Sequence, residues 1–248
     1  MKYVGAPPPA ALSVRGNLTA NGNASVSSTD TSCGGPKPGA ESTGSQSATG
    51  GANMNGSPGQ LPNVPFSVFD PSILTDSDLN ALKALAKAYG TYLQGSQTFN
   101  ASNPIPANGL VFVDTPSGNN LSCTPTPPTT CTNPPSDNIT VTITGNAAPT
   151  GSVAFSGWII VNGSVNYSGN TTINGLLYAQ NDVTMSGTPT VNGAVMSRNL
   201  QDVSSTNIDA SVGGTISINY NCANVKSLSN FLPTGWSLKP GTYREVSD

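Results

Sequence analysis

The chain has 248 residues, a formal net charge of −3 and 8% charged residues, against roughly 25% in ordinary soluble domains. Its nine Lys and Arg are scattered. It therefore lacks the clustered cations that displace counterions from phosphates, and no nucleic-acid partner is expected. The absence of histidine excludes a Ser-His-Asp triad and any histidine-bearing metal centre.

The opening segment, MKYVGAPPPAAL, has one Lys but no continuous apolar run, so it does not read as a signal peptide. No stretch is long and apolar enough to span a bilayer. No membrane contact is expected of this chain as it stands, and any targeting or anchoring segment is expected outside it. Residues 10–27 then alternate apolar and polar (LSVRGNLTANGNASVS from Leu12), as a strand with one buried face does. Residues 28–63 carry almost no large apolar side chain and are expected to form a long flexible insertion, pinned at Cys33.

A helix is expected over residues 75–89. Thr75 with Asp78 three residues on forms a capping box, Gly90 stops the helix, and Leu79, Leu82, Ala86 and Tyr89 share one face. That helix is expected to dock on the β domain or cap an open end, rather than to recruit a partner. Gly109–Asp114 and Asn138–Gly145 alternate and read as strands, as does Thr215–Tyr220. Between the first two, Cys123 and Cys131 bracket a Pro/Thr-rich loop. The main coils are expected over 138–220. A tail, 221–248, contains a short helical stretch (VKSLSNFL) and a turn at Pro240-Gly241.

The organising feature is a repeat. GWIIVNGSVNYSGNTTIN from Gly157 is followed by GLLYAQNDVTMSGTPTVN from Gly175, and a third copy starts at Gly193 and fades. Both spacings are 18 residues. The Leu12–Ser27 segment aligns with Ile159–Asn174, Gly16 falling on Gly163 and Val26 on Ile173. Numbered from the starting glycine, positions 3, 5, 9, 11 and 17 are apolar in all three long copies. In the copy from Gly175 they are Leu177, Ala179, Val183, Met185 and Val191. Glycines at positions 1, 7 and 13 divide each copy into three strand pieces. Asn181 stands at position 7 of one copy, as a substitute at positive φ. Three short strands per 18 residues predict an all-β, right-handed parallel β-helix (a β-solenoid) with one docked α-helix, forming a single domain over 1–248. An antiparallel sandwich would alternate similarly but would not hold glycines in phase every 18 residues.

Four cysteines with no C-x-x-C pair lack zinc or redox spacing and read as two disulfides in an oxidising, extracytoplasmic compartment. Three connectivities are open. Cys123–Cys131 is favoured, with Cys33–Cys222 by elimination, and four buried free thiols are the alternative. No catalytic, cofactor-binding or metal residues are assigned. In the repeat copies the acidic residue is Asp182, with Arg15 and Arg198 among the basic ones, and Asp202 and Asp209 follow the fading copy. These are read as solvated surface, without the convergent carboxylates that a glycosidase or Ca²⁺-dependent lyase needs. Asp76 and Asp78 are explained by the helix N-terminus. Nine N-x-S/T sequons, among them Asn17 and Asn170, are attributed to composition.

Taken in order, PAALSVRGNLTANGNASVS, DPSILTDSDLNALKALAKAYGTYL, GLVFVD, GWIIVNGSVNYSGNTTINGLLYAQNDVTMSG and the closing PGTYREVSD resemble the soluble C-terminal region of PilX-type pilus assembly proteins of bacteria. These are type IV pilin relatives with an N-terminal hydrophobic helix followed by a β-solenoid. The resemblance spans nearly the whole chain. It implies a non-enzymatic minor-pilin or pilus-accessory role outside the cytoplasm, with other pilus or envelope proteins as partners. It carries over no catalytic residue, and it leaves the oligomeric state open. The family's hydrophobic helix, the 28–63 insertion and the cysteine-bracketed loop mark departures. The alternative functions are a surface adhesin for glycan or another cell, using Trp158, Tyr178 and Trp236, and a carbohydrate-active β-helix enzyme.

Overall fold

The computed structural model describes residues 7–123, 131–200 and 208–227. It is a parallel β-solenoid built from an 11-stranded and a 7-stranded sheet. Every pairing between its named strands is parallel. Among the described residues the strands stack as seven coils.

The repeat register is the structural register. Ala154–Val161, Thr172–Ala179 and Thr190–Ser197 pair residue for residue, Gly157 on Gly175 on Gly193. Val165 pairs with Val183 and Tyr167 with Met185. The side chains at positions 3, 5, 9, 11 and 17 of all three long copies lie inside, none more than 2% exposed, so each coil contributes to one continuous apolar core. The strand runs unbroken through the position-1 glycine, which makes a corner within it. A methyl group on Gly175 would overlap the Gly157 carbonyl oxygen, and one on Gly193 the Gly175 carbonyl. Close backbone stacking therefore demands glycine at that column. Position 7 differs from expectation. Asn181 is not at positive φ. It fits because its amide donates to Ser164 Oγ at 3.0 Å. The residues that do adopt positive φ at this phase are Gly16, with φ 130°, and Asn199, with φ 43°.

In space the first coil (91–99) carries the second (109–156), then the third (157–174), fourth (175–192) and fifth (193–220). The copy that fades after Gly193 resumes beyond an insertion. Ala210–Gly214 pairs with Val183–Met185, and Ser217–Tyr220 with Thr190–Gly193. The N-terminal copy, 10–27, then stacks on the fifth coil as the sixth.

The expectation for 28–63 is overturned. Ala40–Ser42, Gln46–Ala48 and Asn53–Asn55 form a seventh coil on the sixth, and Gln60–Leu61 begins another turn. This coil keeps the repeat phase, with Gly44 at position 7 and Asn55 at position 18, but carries Ala40, Ser42, Gln46, Ala48 and Met54 at positions 3, 5, 9, 11 and 17, of which Ala48 is exposed. Parallel pairing to an existing coil supplies the backbone hydrogen bonds, so a segment too polar to fold alone is held as a terminal coil.

The chain returns from the seventh coil to the first by a strap, residues 62–90. It contains a short helix α1 (Phe66–Phe69) and the long helix α2 (Asp76–Tyr89). The helix lies along the side of the solenoid and does not cap its end. The capping box forms: Thr75 Oγ1 accepts from Asp78 N–H at 3.2 Å and Asp78 accepts from Thr75 N–H at 2.9 Å. Leu79, Leu82 and Ala86 face inward as expected, but Tyr89 is 51% exposed and Lys83 is buried in its place. Three ion pairs fasten the strap: Asp70 to Arg15 on the sixth coil, Asp76 to Arg198 on the fifth, and Lys83 to Asp114 on the second. Lys87 lies over the Tyr92 ring on the first. Arg15 and Arg198 are thus anchors of the strap rather than solvated charges. No described helix is long and apolar enough to cross a membrane.

Candidate functional site

Two of the aromatic side chains singled out from the sequence lie among the described residues. Trp158 and Tyr178 occupy outward positions, yet neither is available to a ligand. Helix α3 (Cys222–Val225) covers Trp158, whose indole N–H donates to the Val225 carbonyl at 2.8 Å. Tyr178 is fully buried, facing the Leu74 backbone and the carboxylates at the start of α2, and burial pushes its phenol up. Trp236 lies outside the described residues, as do Asp202 and the tail from 228 onward with its expected helical stretch and turn.

Two buried carboxylates, Asp114 and Asp137, are engaged by the fold. Asp114 is wholly buried. It holds Lys83 Nζ at 2.7 Å, accepts Tyr92 Oη at 2.8 Å and Asn162 Nδ2 at 2.7 Å, and takes the Thr115 N–H. Desolvation, reinforced by Asp114, pushes the Tyr92 phenol up to about 12. Lys83 also donates to the Gly118 carbonyl and to Asn120, and Asn162 to the Asn119 carbonyl. Helix, coil and the 115–122 loop therefore close on one saturated polar cluster. Asp137 is also buried, and hydrogen bonds from Ser117 and Asn133 outweigh desolvation to hold its carboxyl below the usual range.

Asp209 is 2% exposed and accepts the Asn17 N–H at 2.6 Å, so the solvated-surface expectation fails for it. The fading of the repeat hid that Asp209 follows the insertion and meets the sixth coil. Asp182 is half-buried beside Val183. No group of three or more metal-ligating side chains exists among the described residues.

Two columns of outward side chains on the described coils are uncharged. On the seven-stranded sheet one outward column reads Thr98, Thr142, Asn166, Thr184, Ser211, Thr19 and Ser47. On the 11-stranded sheet Asn174, Asn192 and Asn219 stack, the Asn192 amide donating to Asn174 at 3.0 Å and the Asn219 amide to Asn192 at 3.2 Å. Asn174 and Asn192 lie one period of 18 apart, so one stands directly above the other.

No family model, curated protein or solved structure matches this chain.

The cysteines form both expected bonds. Cys123 pairs with Cys131 across an antiparallel bridge, and Cys33 with Cys222, with Cα atoms 5.5 Å apart and 189 residues between them in sequence. Cys33 lies on the loop between the sixth and seventh coils, and Cys222 opens α3 just after the fifth. Around that bond Asp30 accepts the Cys222 N–H at 2.7 Å and Lys37 lies over the Tyr220 ring. Hydrogen bonds from Ser32 and Cys222 hold the Asp30 carboxyl below its ordinary value. Two disulfides with no free cysteine suit an oxidising, extracytoplasmic setting.

Proposed function

We propose that the chain is an extracytoplasmic, non-enzymatic structural module of a type IV pilus-like system, a minor pilin or assembly accessory that contacts other pilus or envelope proteins. The observation that carries this reading is the pair of disulfides on a rigid solenoid whose buried charged groups are engaged by the fold. The ordered motifs that resemble PilX-type proteins supply the pilus part of it.

The test is deletion of the gene with complementation by wild type. Loss and recovery of surface pili, with the protein cross-linking to a pilin in the envelope fraction, supports the reading. Normal piliation in the deletion strain, or a reduced protein in the cytosol, overturns it.

A second reading, a surface adhesin, draws on the uncharged Ser, Thr and Asn columns, whose hydroxyls and amides match the hydrogen-bonding groups of glycans. Specific retention on a glycan array, lost on substituting Asn166 and Thr184 with Ala, would favour it over the first.

A further inference from the structure

The junction between the fifth and sixth coils differs from every other junction among the described coils. Elsewhere, stacked neighbours follow one another in sequence. Here Leu12–Val14 lies on Val195–Ser197, Leu18–Gly22 on Ala210–Gly214, and Ser25–Ser27 on Ser217–Asn219. This seam is held by parallel backbone pairing, by the apolar contacts of Leu12, Leu18 and Val26, and by Asn17 on Asp209.

The sixth and seventh coils, with α1 and the 3-10 turn Asp70–Ser72, form an end piece, residues 10–72. Its link to α2 and the body is the short extended stretch Ile73–Thr75. The strap's ion pairs divide at that stretch. Arg15–Asp70 lies within the end piece, whereas Arg198–Asp76 and Lys83–Asp114 lie within the body. The remaining covalent tie is Cys33–Cys222.

We propose that the edge of the fifth coil is a docking site for the 10–72 end piece of any copy of this chain, its own or a neighbour's, and that Cys33–Cys222 fixes which copy holds it. The contacts across the seam are identical in the closed and exchanged forms, because the chain passes between the two pieces at Ile73–Thr75 and not within the paired strands. The two forms then differ only in the tether and the Ile73–Thr75 stretch, which is the condition for exchange of an element between protomers. Oxidation makes the choice permanent. In the closed chain it seals a monomer, and in the exchanged form it joins two copies covalently through Cys33 of one and Cys222 of the other. This inference stands on the seam alone and does not depend on the pilus reading.

The test uses the wild-type chain in light and ¹⁵N-labelled forms. The two are mixed on the order of 1 mM, the effective concentration of a short tether, and reduced with dithiothreitol. Each reduced bond gives two thiols as the reagent closes its own cyclic disulfide. Oxidised glutathione then restores the bonds and leaves as two reduced glutathiones. Peptides are mapped by mass spectrometry without reduction.

We expect mixed light–heavy Cys33–Cys222 peptides, approaching about half of that bridge at full exchange, together with a covalent dimer by light scattering. Cys33 and Cys222 are 7% and 4% exposed, so a mixed bridge requires the end piece to have left its own coil. The Cys123–Cys131 bridge is the internal control and stays unmixed. Cys33–Cys222 bridges that are only light–light and heavy–heavy, after reduction shown to be complete by thiol alkylation, overturn the proposal. So does loss of the β-sheet circular dichroism signal under the reducing conditions, which marks global unfolding.

Discussion

Leu12 sits in parallel register on Val195, the two lying on coils that neighbour in space and are separated by most of the chain. Each is fully buried because the other closes its side of the core. Removing residues 1–27 uncovers the fifth coil and leaves the seventh without its support. We expect a marked fall in melting temperature by scanning calorimetry, and an unchanged value would show that this copy does not contribute to the core.

The seventh coil changes what deletion of Gly34–Gly59 should do. As a flexible insertion it would be dispensable, since loop-closure cost grows slowly with length. As a coil it covers Leu12, Leu18 and Val26, so its loss exposes apolar side chains worth ~1.5–3 kcal/mol each when fully exposed. A drop in the denaturant midpoint, with the slope retained, is the expected result.

Inward and outward positions separate cleanly by substitution. Val165 is 2% exposed, and Val165→Asp places an unpaired charge between stacked coils at a cost of several kcal/mol, about 3–5. Thr184 points to solvent on the adjacent coil, and Thr184→Asp should stay within about 0.5 kcal/mol of wild type. Equal thermal shifts for the two would contradict the register.

Lys83 and Asp114 form the most deeply buried ion pair among the described residues. Lys83→Met leaves Asp114 buried with neutral donors only and should cost about 3–5 kcal/mol. Changing both, Lys83→Met with Asp114→Asn, should recover part of that loss. A double mutant as unstable as the sum of the singles would argue against direct coupling.

Glu41 gives a pH test. Burial raises its carboxyl above the ordinary value, the neighbouring Ser13 hydroxyl and the charge of Lys37 offsetting this only in part. A carboxyl raised on folding contributes stability below its unfolded pKa, and that contribution fades as pH rises through the folded one. Glu41→Gln removes the penalty of ionisation, so the variant should gain melting temperature over wild type at pH 7 and lose that advantage at pH 4. A gain independent of pH would place the effect elsewhere.

The sequence by itself determined the coil. The period of 18, the inward positions 3, 5, 9, 11 and 17, the position-1 glycines and the capping box at Thr75 are local regularities, and stacking one repeat on the next reproduces them at every level. Both disulfide pairings were among the connectivities it allowed. It also placed 10–27 on the same solenoid, because a lone coil cannot bury its apolar face.

The order of the coils was decided only by the tertiary structure. Nothing local in 10–27 states that its lower neighbour is 193–220, since any coil in phase offers the same parallel edge. The seventh coil is not legible in the sequence because Gln46, Ser42 and Ala48 carry little apolar signal, and their folding energy comes from a neighbour's backbone. The burial of Asp209, Trp158 and Tyr178 likewise depended on what packs over them. The sixth coil, α3 and the strap arrive from distant parts of the chain, and no window of sequence contains both sides of those contacts.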